Sequence, residues 1–261
     1  MRLAEHPIAL DGDALSRRIF APVAYRIVRD TAVVPIVIGE VFRLASFFPV
    51  VWRRREEDLD LVVVRALIDE AGAQPAGLRG VHPLVLQAYP FVLATRVDDA
   101  CTRLIDDAVA DAPTDIGASV TAADGRPSLA TTLRLRMLEL VERQLPLTRA
   151  VGRALADADL LQPWDLTFDI EGSMIGIPDL SVARQEAFAT GAYGDIVGRH
   201  GAAAAELLGF HRISLFRAGV VVAAARAHVR ERLARVAEMA RRAEPGAAPG
   251  PAAAVSERVR P

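Results

Sequence analysis

The residue with the clearest chemical potential is Glu40, a carboxylate inside the longest apolar run of the chain, Val33 to Trp52. A buried, unpaired carboxylate is costly, so such a residue needs a partner or a raised pKa. Arg43 lies on the same helical turn, and an ion pair between the two is expected, with ligand binding as the alternative. The remaining acids come in pairs: Asp58 with Asp60, Asp98 with Asp99, and Asp106 with Asp107. On a strand only the i,i+2 pair, Asp58 and Asp60, projects to one face. Solvation at turns accounts for all three pairs more simply than acid–base chemistry does. The histidines, His6, His82, His200, His211 and His228, form no His-x-x-x-His pair, and the lone Cys101 supports neither a disulfide nor a thiolate framework. No metal site is expected. His200 and His211 stand close to three helical turns apart, so they share a face but not one coordination shell.

The familiar catalytic templates are missing. Neither Gly-x-Gly-x-x-Gly nor Gly-x-x-x-x-Gly-Lys-[Ser/Thr] occurs, and Glu171-Gly172-Ser173-Met174-Ile175-Gly176 only imitates a nucleophile elbow. No cofactor is expected. All basic residues are arginine and none is lysine, which excludes Schiff-base and P-loop lysine chemistry. A net charge of -2 gives no overall attraction to nucleic acid. The first thirty residues show no secretory pattern, so a cytoplasmic location is expected. Residues 32–52 approach membrane-spanning length. Glu40 and Arg43 would each cost about 2.5–3.5 kcal/mol near a bilayer centre, so the run is read as core and no span is expected.

The elements that must position these residues follow from periodicity. Val33 to Trp52 reads as strand, one short helix (Val41, Leu44, Ala45 and Phe48 at helical spacing) and strand. The charged turn Arg53 to Asp58 leads to a β-branched run at Leu61 to Val64, and 71–80 is a Gly/Ala/Pro loop. Val81 to Tyr89 is helical up to Pro90, and Phe91 to Ala94 is a strand. The breaker-dense segment 108–128 is a long surface loop. Two apolar stripes, Leu133 to Val141 and Val151 to Leu161, predict either two helices joined at Pro146 or one helix kinked there. Leu166 to Ile177 is a hairpin turning at Glu171-Gly172.

Four of these stretches, in order, resemble the SapC family, proteins named after a bacterial surface-array cluster. The first is the Val-Pro-hydrophobic opening that leads through Glu40 to Phe48-Pro49. The second is Tyr89-Pro90-Phe91 with Ile105-Asp106-Asp107. The third is the Thr148-bearing helix with its Leu160-Leu161-Gln162-Pro163-Trp164 exit, and the fourth is the hairpin with the looser region 178–218. The resemblance runs from about residue 26 to 218. The family's histidine position falls on Gly209, with His211 nearby. The family carries no assigned reaction. What the resemblance implies is a non-enzymatic accessory protein that binds a ligand or partner in a bacterial cell-surface or outer-membrane uptake system. The alternative is an enzyme, or the obligate partner of one, modifying a peptide or small molecule near Glu40, Tyr89 and Trp164. Glu40, Arg43, Tyr89, Asp106 and Trp164 are the candidate binding residues, and Trp164 is expected to be mostly buried against the sheet.

The expected fold is α+β: one mainly antiparallel sheet of five to seven strands from residues 33–180, covered by the 129–162 helices. An N-terminal arm (1–30) lies across a domain spanning 31–218. A helical extension follows (219–244), and then an Ala/Pro tail (245–261) expected to be disordered. From Leu215 an apolar residue recurs at Val222, Val229 and Val236, with Leu233 and Met239 beside them and no proline before Pro245. This predicts one long helix whose distal half, about Val229 to Arg242, meets a protein partner or a second copy.

Overall fold

The computed structural model describes residues 3–55, 58–95 and 101–243. The pair Asp98 and Asp99, the turn at Glu56 and Glu57, and the 245–261 tail lie outside the described residues. The fold is α+β with antiparallel sheets and a long C-terminal helix.

In chain order the elements are β1 (Pro7–Ala9), β2 (Arg18–Ile19), α1 (Arg26–Asp30), β3 (Val33–Pro35), α2 (Val41–Leu44), β4 (Val50–Arg55), β5 (Asp58–Val64), α3 (Leu84–Gln87), β6 (Phe91–Thr95), β7 (Cys101–Asp106) and β8 (Ala118–Ser119). They continue with α4 (Leu129–Asp157), β9 (Leu161–Pro163), β10 (Leu166–Ile170), β11 (Ser173–Ile177), β12 (Leu180–Ala183), α5 (Gly191–His200), α6 (Ala202–Ser214) and α7 (Ala218–Ala243). The expected single sheet is divided. A five-stranded sheet runs β3-β5-β4-β12-β9, a three-stranded sheet runs β1-β7-β6, and β10-β11 and β2-β8 form separate pairs. The N-terminal arm is therefore part of the fold: β1 supplies an edge strand to β7, with Pro7 opposite Asp106.

The five-stranded sheet is buried on both faces, and this explains its unbroken apolar runs. Along β3, β4 and β5, alternate residues enter two different cores. Val34, Val50, Trp52, Leu61 and Val63 join the larger one with Leu138, Val141, Val151 and Leu155 of α4. Val33, Val51, Val62 and Val64 join the other with Leu166, Ile177, Val221, Val222, Ala225 and Val229. Side chains of a strand point alternately to opposite faces, so a doubly covered strand carries no polar face. The first half of α7 is thus core, and the expected boundary at 219 cuts through a packed layer.

Helix α4 is one 29-residue helix with Pro146 inside it, started by Ser128, whose hydroxyl accepts from Thr131 N–H. The β10-β11 hairpin turns at Glu171 and Gly172, both with positive φ (52° and 78°), as a two-residue type I′ turn requires. Close packing also needs the glycine at 176, where a Cβ would come within 2.9 Å of the Thr167 backbone. Among the described residues one helical stretch, Ala202–Arg242, is long enough to cross a membrane and contains an 18-residue window apolar enough by composition, with mean hydropathy 1.4. A third of that window is buried in the fold. Beyond Val229 the helix leaves the body: Leu233, Val236 and Met239 are exposed, the last at 61%.

Candidate functional site

Glu40 ends a 3-10 turn (Ile38–Glu40) and is buried; the expected ion pair with Arg43 is present but long, and backbone amides are its closer partners. One carboxylate oxygen accepts from Leu84 N–H at 2.6 Å and the other from Val37 N–H at 3.2 Å. Arg43 approaches only to 3.8 Å and is itself 44% exposed. Glu40 therefore caps the first turn of α3 and closes its own turn, and Arg43 turns outward to donate to the His82 carbonyl at 2.9 Å. Burial lifts the Glu40 pKa to about 7, against the opposing pull of the two amides and Arg43. From α4, Thr148 accepts from Ile38 N–H at 3.0 Å and donates to the Gln144 carbonyl, while Gln144 accepts from Gly39 N–H. The Val33–Trp52 unit is thereby fastened to α4.

Tyr89 and Asp106 do come together. The phenol donates to Asp106 at 2.6 Å, and burial followed by the nearby carboxylate pushes the Tyr89 pKa upward. The same carboxylate accepts from Glu5 N–H (2.8 Å) and His6 N–H (2.7 Å), which pins the arm beside β1. Tyr25 stacks edge-on against Tyr89, and Arg134 of α4 donates to the Tyr89 carbonyl. This pair is buried, so neither group faces solvent. Turn solvation thus fails as an account of Asp106, and also of Asp60, which is buried.

Trp164 belongs to neither cluster. It is half-buried beside the second core instead of anchoring α4, and it lines a separate groove with Arg54, Asp165 and Asp179. The fully buried tryptophan is Trp52, which packs on the His211 ring at 4.7 Å between centroids.

Two buried polar residues were not singled out from sequence as anchors. His211 of α6 donates through Nδ1 to the Val50 carbonyl (2.6 Å) and accepts at Nε2 from Ala183 N–H (3.1 Å), joining β4 to β12. That arrangement fixes the neutral tautomer, and burial lowers its pKa to about 4. Arg65, at 0% exposure, donates to the carbonyls of Val28 and Thr31 and to Gln74, and burial lowers its pKa to about 10. An arginine directly after a β-branched strand was the available signal, but two of its partners are backbone oxygens, which leave no mark in sequence.

The open feature is a cleft of about 410 Å³ between the N-terminal arm, the α1–β3 connection, β4 and the end of the β10-β11 hairpin. Its lining holds Asp30 and Asp69, which lie close enough for one to act on the other, Arg53 and Arg55 of β4, and the Glu5–Arg26 ion pair (2.8 Å). Asp69 is fixed by accepting from Ala32 N–H at 2.6 Å. Asp30 keeps one oxygen, Oδ1, buried without a hydrogen-bond partner, and desolvation raises its pKa. The sequence-derived candidates gather none of their number here. Among the described residues no group of three or more metal-ligating side chains comes together.

The SapC family model matches residues 16–190, two thirds of the chain. The chain belongs to the SapC family. No curated protein and no solved structure matches it. Within this SapC-family chain the motif residues of the first three stretches do structural work: Glu40 caps, Thr148 fastens, Tyr89 and Asp106 hold the arm. The match ends at the start of α5, so His211, α6 and α7 lie beyond it.

Proposed function

We propose that this SapC-family chain is a non-enzymatic accessory protein of a bacterial cell-surface or outer-membrane uptake system. It binds a ligand in the charged cleft and meets a protein partner through the distal half of α7. One observation carries the reading: Glu40 and Asp106, the two acids among the candidate binding residues, are occupied by backbone amides and a phenol, whereas the cleft presents charges of both signs to solvent. Family membership supports the cell-surface setting. The distal helix offers that partner the exposed apolar residues Leu233, Val236 and Met239, because its arginines are already ion-paired.

Native mass spectrometry of the chain purified without added ligand, together with metal analysis, tests this. The expected result is a small organic molecule at unit stoichiometry that Arg53→Gln releases, or a co-purifying protein lost on removal of residues 233–261. The enzyme reading is favoured by the Glu40 pKa of about 7, which suits a general base. Its 4% exposure and doubly bonded oxygens leave no position for a substrate. Turnover of the released molecule that disappears in a well-folded Glu40→Gln variant would overturn the accessory assignment.

A further inference from the structure

Resting on the cleft reading above, the geometry points to a zwitterion as the ligand, with an ammonium at the Asp30–Asp69 end and a carboxylate at the Arg53–Arg55 end. A di- or tripeptide is the plainest member of that class. The charges support it. Glu5 and Arg26 satisfy each other, which leaves two acids and two arginines among the described lining residues and no net charge. A cleft balanced in charge but separated into two ends repels neither pole of a neutral dipolar ligand, and it penalises a ligand charged at one end only.

At the acidic end Asp30 is half-buried in the cleft lining beside Asp69, and an ammonium supplies up to three donors to such a pair. Asp69, held by the Ala32 amide, and the exposed Asp111 add negative potential to Asp30, while Arg26 and Arg29 oppose it. At the far end Arg53 and Arg55 stand two residues apart on β4, so both project to one face of the sheet. A pair of guanidinium groups on one face suits the two oxygens of a carboxylate.

The test is isothermal titration calorimetry on the full chain at low ionic strength with triglycine, N-acetyl-triglycine and triglycine amide. Binding of triglycine is expected, with each blocked form weaker by about tenfold or more. Arg53→Gln should weaken triglycine and abolish the discrimination against the amide, and Asp30→Asn should do the same for the acetyl form. Thermal melting establishes that both variants are folded. No binding of triglycine, equal binding of the three probes, or unchanged discrimination in the variants overturns the assignment. If a co-purified molecule is released by Arg53→Gln but no peptide displaces it, the zwitterion assignment falls and the cleft remains the binding site.

Discussion

Replacing Glu40 by glutamine tests whether the buried carboxylate is held by amides or by an arginine. The side chain is buried, and its pKa moves from an ordinary 4.5 to about 7 on folding. A raised native pKa means that folding favours the protonated form. The stability gained is fully present below pH 4.5 and is lost as pH rises through 7. The linkage relation, with those two values, gives a wild-type loss of about 2.5 kcal/mol between about pH 5 and pH 8 from this group alone. Glutamine does not titrate, so the variant lacks that component. Its oxygen still accepts from Leu84 N–H, but its amide cannot accept from Val37 N–H, which adds a pH-independent cost of about 1–3 kcal/mol. Urea unfolding of both proteins at the two pH values measures the difference. The stability gap between wild type and Glu40→Gln should be about 2.5 kcal/mol larger at the acid end. A gap that is the same at both pH values, or larger at pH 8, would mean that the ionised form is stabilised by Arg43 after all.

Three further outcomes follow from the same contacts. His211→Leu leaves the Val50 carbonyl and Ala183 N–H unpaired and should cost about 2–5 kcal/mol in chemical denaturation. Because the His211 pKa is lowered from 6.5 to about 4, its contribution is present above pH 6.5 and lost toward pH 4, so the variant should also show a shallower acid transition. Asp106→Asn, which can no longer accept from Glu5, His6 and Tyr89 together, should cost about 2–4 kcal/mol and lower hydrogen-exchange protection at Ile8 and Ala9. Truncation after Arg232 removes Leu233, Val236 and Met239 but keeps the ion pairs of Arg230 with Glu171 and Arg232 with Glu70. Thermal melting should change by no more than a few degrees while partner capture is lost; a collapsed melt would show the distal helix to serve its own core.

What the sequence disclosed was local. The strand–helix–strand unit, the hairpin with its Glu171-Gly172 turn and the long C-terminal helix all rest on periodicity or turn chemistry within one stretch, and each is observed. The division of the strands into a five-stranded sheet, a three-stranded sheet and two separate pairs was not legible. Whether β7 pairs with β6 alone or also with β1 depends on a contact across about a hundred residues, and alternation along β7 is the same either way. Both faces of the central sheet being covered was half visible in the runs Val33-Val34 and Leu61 to Val64, but nothing in them says that α7 is the second cover. Trp164 was misplaced for a related reason. A tryptophan after proline at a helix exit reads as an anchor, and that place in the core is taken by Trp52 on a strand more than a hundred residues earlier.

The candidate residues show why motif reading reaches scaffold before it reaches function. Glu40, Asp106, His211 and Arg65 are polar, distinctive and buried, and each bonds to backbone atoms supplied by a distant segment: Leu84, Glu5 and His6, Val50 and Ala183, Val28 and Thr31. A side-chain partner has a letter that a sequence reader can pair with the first; a backbone amide or carbonyl has none, so Arg43 was chosen for Glu40 simply because it was the nearest cation with a name. The cleft escapes notice by the opposite route. Asp30, Asp69, Arg53 and Arg55 are unremarkable where they stand in the chain, at a helix end, a loop and a charged strand, and become one surface only when β3, β5 and β4 assemble in that order. The cleft is thus a product of strand order, and the buried polar anchors tie distant segments into that order.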